Sequence, residues 1–102
     1  MPTTPPPASE DAPAFRLRIR FSGRVQGVGF RATTHAVASD HRVTGWVRNE
    51  PDGTVLAEVQ GEADEVHAML SELRLRMSRN IMSEQADPIG AVPGESRFEI
   101  RR

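Results

Sequence analysis

The sequence predicts an α+β domain of the ferredoxin-like split β-α-β kind, an antiparallel sheet with two helices packed on one face. Three observations lead there. Apolar residues alternate with period two near both ends of the chain, over residues 15–21 and again over residues 97–101. Two stretches carry helical spacing, one from Phe30 and one through Val66, Met69, Leu70, Leu73 and Met77. Between them, two strand-like runs flank the turn signal Pro51-Asp52-Gly53. The order is strand, helix, strand, strand, helix, strand, then a short closing strand.

The first strand covers residues 15–22, with Phe15, Leu17, Ile19 and Phe21 on one face. Phe30, Thr34, Val37, Ala38 and His41 then share one side of a helix of about 11 residues. Thr33 and Thr34 weaken that helix, because branching at Cβ costs side-chain freedom there. Residues 43–49 form the second strand around Trp46 and Val47. Residues 54–60 form the third, with Val55, Ala57 and Val59 on one face. The two make an antiparallel hairpin. Gly61 ends it. Glu62, Asp64 and Glu65 suit the positive end of the second helix, and Arg74 and Arg76 its negative end. The fourth strand, residues 78–85, has the weakest signal, carried by Ile81 and Met82; residues 87–94, with Pro88 and Pro93, read as a loop. Phe15, Phe21, Phe30, Phe98 and the stripe Val66, Met69, Leu70 and Leu73 are core, and Trp46 packs in the core or on a sheet face.

Length allows one domain in 102 residues. Residues 1–13 hold five prolines and almost nothing that packs, so a disordered N-terminal tail precedes a domain over residues 14–102. The tail has neither the arginines of a transit peptide nor the apolar run of a secretory signal. Net charge is −1, and beyond the tail 13 basic residues face 12 acidic ones. That balance, without a basic run, gives no support to a nucleic-acid partner. Arg16, Arg18 and Arg20 would face solvent on the sheet, with no aromatic residues between them to stack bases. The absence of cysteine excludes disulfides, thiolate metal sites and a cysteine nucleophile. No apolar run approaches the roughly 20 residues that span a bilayer. His35, His41 and His67 lack metal-ligand spacing and read as residues of a helix surface or a helix end. A cytoplasmic monomer is expected, with no cofactor, no metal, no nucleic acid and no membrane contact.

The most informative residues are Gly23-Arg24-Val25-Gln26-Gly27-Val28-Gly29-Phe30-Arg31, between the first strand and the first helix. Glycines let the backbone turn sharply and present N–H groups without obstruction. A glycine-rich loop, a helix N-terminus and an arginine at the junction make an anion site, with phosphate the natural occupant. Arg24 and Arg48 read as solvated or weakly paired residues that add positive potential at its mouth. By residue type alone, Asn49 also suits the start of the Glu50-Pro51-Asp52-Gly53 turn.

That block, followed by Gly45-Trp46-Val47-Arg48-Asn49, Asp52-Gly53-Thr54-Val55 and Gln60-Gly61 in matching spacing, resembles the acylphosphatases. The resemblance runs over residues 15–102 and is strongest as far as Leu73. It implies metal-independent hydrolysis of acyl phosphates, which are carboxyl-phosphate mixed anhydrides, to carboxylate and inorganic phosphate. It places the family's substrate-binding arginine on Arg31 and its water-orienting asparagine on Asn49. Three features depart from the pattern. Ala32 and Thr33 stand where larger, often aromatic, residues are common. His41-Arg42 replaces an apolar-glycine pair, so Arg42 must adopt a left-handed backbone or the helix must end on another cap. Residues 75–78 lack the usual Gly-Pro.

The chemistry suits the residues. A carboxylic acid has a pKa of about 4, so its anion departs without protonation and no general acid is needed. Charge in the phosphoryl transition state spreads over three oxygens, which makes catalysis a matter of positioning and electrostatics. The forked guanidinium of Arg31 can grip two phosphate oxygens. The amides of Gln26, Gly27, Val28, Gly29 and Phe30 can wrap the others, and Asn49 can fix a water in line with the scissile bond. Two alternatives remain at this stage. One is a non-catalytic module that binds phosphate or a phosphometabolite. The other is an acylphosphatase-like module serving carbamoyl phosphate chemistry in a longer protein; an end at Arg102 favours a free-standing enzyme.

Overall fold

A computed structural model describes residues 14–102; the expected disordered tail, residues 1–13, lies outside them. In chain order the elements are β1 (Phe15–Gly23), α1 (Phe30–Ser39), β2 (Val43–Asn49), β3 (Val55–Gly61), α2 (Ala63–Arg76), β4 (Ile81–Ile89) and β5 (Phe98–Arg101). They build one five-stranded sheet of order β4-β1-β3-β2-β5. One face of it is sealed by α1 and α2. Leu17, Ile19, Phe21, Val47, Val55, Ala57 and Val59 from the strands meet Phe30, Val37, Val66, Met69, Leu70 and Leu73 from the helices in a continuous apolar core. The period-two and helical patterns thus select the same buried set.

The sheet is mixed, where the sequence predicts an antiparallel one. β1, β2, β3 and β4 pair antiparallel, but β5 runs parallel to β2, with Gly45 beside Phe98 and Val47 beside Ile100. Topology explains this. β4 occupies one edge and runs against β1; the chain then crosses to the far edge and returns in the opposite sense, which is the direction of β2. β4 also extends through Asp87, Pro88 and Ile89, residues that read as loop, and starts only at Ile81. An edge strand tolerates proline because one side of its ladder is unpaired. β4 shows no alternation because most of it is solvent-facing; Met82 is 85% exposed.

The two unusual helix ends have physical solutions. α1 stops at Ser39, so His41 stands beyond it. The Asp40 and His41 amides tighten the last turn onto Val37 O (3.0 Å) and Ala38 O (3.1 Å). Arg42 avoids the left-handed region, since no non-glycine residue among those described has positive φ. Its amide instead donates to Glu65 Oε1 on α2 at 2.9 Å. α2 closes through the Met77 amide on Leu73 O (3.0 Å), and the Asn80 and Ile81 amides on Met77 O (2.9 and 3.0 Å), so no Gly-Pro is required.

On the helix-free face the crossing segment, residues 90–97, changes what the sequence suggests for Arg16. This residue is 1% exposed, not solvent-facing. Its Nε donates to Glu58 Oε1 at 2.8 Å, while Nη1 donates to Gln60 Oε1 at 3.0 Å and to Glu95 Oε1 at 2.8 Å. Arg18 Nε donates to the other Glu58 oxygen at 2.9 Å. Trp46 is 7% exposed but is not part of the apolar cluster under the helices, and the Arg48 and Arg101 guanidinium carbons each lie 4.9 Å from its ring centroid. Burial works to raise the Glu58 carboxyl, but hydrogen bonds and charge from Arg18 and Arg16 outweigh it and hold its pKa below the ordinary value. Burial likewise opposes the Arg16 charge, and Glu95 and Glu58 overcome it.

A carboxyl with a depressed folded-state pKa stabilises the fold above its unfolded pKa, near 4.3, and loses that contribution as pH falls through the folded value. Glu58→Gln is therefore expected to lower stability at pH 7 by about 3 kcal/mol, a drop of roughly 10 °C or more in Tm for a domain this size. It should also flatten the fall of Tm between about pH 5 and pH 2. Thermal melts of both proteins across that range measure it.

Candidate active site

The site begins where β1 stops. The loop of residues 24–29 is tied down on two sides. The Arg24 amide donates to Asn80 O at 2.9 Å and Asn80 Nδ2 donates back to Arg24 O at 3.0 Å. The Gln26 carboxamide spans the gap to the β2–β3 turn, its Nε2 donating to Glu50 O (2.7 Å) and Thr54 O (2.9 Å). This side chain is a strut that sequence reasoning missed, having assigned Gln26 only a main-chain role. No local spacing signals it, because its partners lie 24 and 28 residues away.

Between these ties the backbone passes through the left-handed region at Gly27 (φ 73°) and Gly29 (φ 77°). A side chain at either position would be strained, even with open space around it. Gly29 is the N-cap of α1 and offers no capping side chain, and no acidic residue stands in the first turn. The first helical amide with a main-chain partner is that of Thr33, on Gly29 O at 2.9 Å. Among the described residues, the amides of Gln26, Gly27, Val28, Gly29, Phe30, Arg31 and Ala32 find no main-chain acceptor. A run of open donors at the positive end of a helix is suited to an anion.

Arg31 and Asn49 meet beside that run. Arg31 sits in the first turn of α1, and its Nη1 donates to the Arg101 carbonyl at 3.0 Å. Asn49 ends β2 on the same face as Val47, by the alternation of the strand. Both line one open cavity of about 230 Å³, together with Gly27, Gly29 and Phe30 of the loop and helix start. Val25, Ala32 and Ile100 complete its walls. Gln26 and Val28 are not among the lining residues. The Asn49 Oδ1 is buried and has no hydrogen-bond partner. A buried amide oxygen without a partner is uncommon and calls for a ligand or an ordered water.

Other residues singled out in the sequence have structural partners. Arg48 Nε donates to Glu50 Oε2 at 2.9 Å and its guanidinium lies over Trp46. His67 stacks near Phe15, His35 approaches Phe98 edge-on, and His41 Nε2 lies 3.1 Å from Glu72 Oε1. Among the described residues no three histidine, aspartate or glutamate side chains converge as a metal site would need. No described helix is long and apolar enough to cross a membrane.

A geometry of one arginine, open amides and one carboxamide suits phosphoryl chemistry with a good leaving group. The acylphosphatase family model matches residues 17–100 of the sequence. The chain belongs to the acylphosphatase family. A protein named acylphosphatase from Bordetella parapertussis is 50% identical over 92 residues, 90% of this chain and 90% of that one. One from Oceanobacillus iheyensis is 49% identical over 57 residues, 56% of this chain, and there the match spans 63% of the relative. Among solved structures, the acylphosphatase from Bacillus subtilis superposes with a TM-score of 0.77 at 26% identity, over 86% of this chain and 99% of that one. The acylphosphatase fold read from the sequence, two helices on one face of the sheet, is the fold observed.

Proposed function

We infer that this acylphosphatase-family chain hydrolyses acyl phosphates to carboxylate and inorganic phosphate, with Arg31 and the loop amides holding the phosphate and Asn49 holding the attacking water. The carrying observation is the shared cavity, where a guanidinium, open amides at the start of α1 and a buried, partnerless amide oxygen line one small volume. The guanidinium and the loop amides, above all those of the cavity-lining Gly27, Gly29 and Phe30, offer donors to a dianion and stabilise the charge that builds on its equatorial oxygens. The Asn49 Oδ1 accepts a hydrogen bond from water and aims its oxygen at phosphorus. The P–O bond to the acyl group breaks as the water oxygen bonds to phosphorus, and the bonding pair leaves with the carboxylate. The water proton passes to a phosphate oxygen, so no histidine or carboxylate acts as base. On this reading the enzyme takes a small-molecule substrate and is a cytoplasmic monomer; Arg31 and Asn49 of a single chain line the cavity, so the reaction asks for no second copy.

The test is hydrolysis of benzoyl phosphate, followed by loss of its absorbance with a chelator present. Turnover without added metal, inhibited competitively by inorganic phosphate, is the expected result. Tight phosphate binding without turnover would turn the reading into that of a phosphometabolite-binding module.

A further inference from the structure

We propose that Ile100 and Ala32 form an acyl-group subsite, which makes the enzyme prefer acyl phosphates with a bulky apolar acyl group, aromatic or branched, over acetyl phosphate. The inference rests on the hydrolytic reading above and deepens it. Phosphate recognition uses Arg31, Asn49 and the loop amides. The same cavity has a second set of walls that these do not explain, and they are apolar: Val25, Phe30, Ala32 and Ile100.

Ile100 is the informative one. Alternation along β5 puts it on the same face as Phe98, which is buried against the helices. In register it lies beside Val47, two residues before Asn49 on β2. Yet Ile100 remains 46% exposed while Val47 is fully covered. A branched apolar side chain is thus held half in water at the wall of the cavity. Covering such surface with an apolar group is favourable in proportion to the area removed from water. Ala32, in the first turn of α1, adds only a methyl group to the wall and leaves room there.

Size and charge narrow the substrate class. About 230 Å³ lies below the roughly 300–1,000 Å³ of pockets that enclose drug-sized ligands, so what the cavity itself can cover is a compact acyl group. Among the described residues the only charged one in the lining is Arg31, which the phosphate engages on that reading. The neighbouring cation, Arg101, turns its guanidinium to the Trp46 ring on the other side of the sheet. An acyl group carrying its own carboxylate would find no partner, and an apolar one would find Ile100.

The experiment compares kcat/KM for benzoyl and acetyl phosphate in the wild type, Ile100→Ala and Ala32→Leu. The wild type is expected to favour benzoyl phosphate. In Ile100→Ala the benzoyl-to-acetyl ratio should fall about fivefold or more, mainly through a higher KM for benzoyl phosphate, in line with the 10- to 200-fold that a hydrophobic pocket extracts from small changes in apolar fit. Ala32→Leu fills the space from the opposite wall and should lower the ratio in the same direction. It carries the test should Ile100→Ala fail to melt as a folded protein. An unchanged ratio, or an equal loss on both substrates, overturns the subsite while leaving the hydrolytic reading in place. A wild type that hydrolyses neither compound removes the reading beneath it as well.

Discussion

Replacing Arg31 with alanine is expected to lower kcat/KM for benzoyl phosphate by at least about 10²–10³, with the fold intact. The reasoning is electrostatic. The substrate brings a dianion into a small cavity in which Arg31 is, among the described residues, the one charged lining residue. The loop amides supply partial charges only, so removing the guanidinium takes away the sole full positive charge of the lining. Stability should hardly change, because its bond to the Arg101 carbonyl is at an exposed position and exposed interactions contribute little. Arg31→Lys separates charge from shape. A lysine keeps the charge but cannot present two parallel donors, so most of the loss should persist. Steady-state kinetics beside a thermal melt decide the matter. Retention of more than about a tenth of wild-type kcat/KM by Arg31→Ala would mean that the amides alone carry phosphate binding.

Local residue patterns made part of this molecule readable and left part of it hidden. The strand β1, the helices and the β2–β3 hairpin announce themselves because each turns an apolar face to the core, so apolar residues recur at the period of the element. Gly27, Gly29 and Arg31 are legible because a tight anion loop needs glycine and a cation within a few residues of each other. The rest depends on distant parts of the chain. β4 is an exposed edge strand with no apolar face to betray it. The parallel pairing of β5 follows from the path of residues 90–97 across the sheet, which no residue in β5 encodes. Arg16 alternates like an outward residue, and only the arrival of Glu95, 79 positions later, buries it. The strut from Gln26 to Glu50 and Thr54 belongs to the same class. Asn49 lies between: its place at the end of β2 is legible, but nothing local reveals that its Oδ1 ends up buried without a partner.

That oxygen makes Asn49→Ala the more discriminating substitution, because it should remove activity and leave stability nearly unchanged. An amide oxygen that makes no hydrogen bond to the protein contributes none to the fold, so its loss breaks none. On the proposed reading it is the acceptor for the nucleophilic water. Removing the carboxamide removes the unpaired atom, and the space it leaves opens into the cavity rather than into the packed core. The Tm of Asn49→Ala is therefore expected to stay within about 2 °C of that of the wild type. Turnover should fall by about 10²–10³, since the water loses its acceptor at the moment of attack. Phosphate binding should be nearly unchanged, because Arg31 and the loop amides remain, so the inhibition constant of inorganic phosphate should stay within about twofold while kcat collapses. Asn49→Asp reverses that last result: a carboxylate beside the dianion should weaken inorganic phosphate as an inhibitor as well as slow the reaction. If Asn49→Ala instead melts several degrees lower and keeps more than about a tenth of the wild-type rate, the residue is a strand-end structural element, and the water must be held by another group.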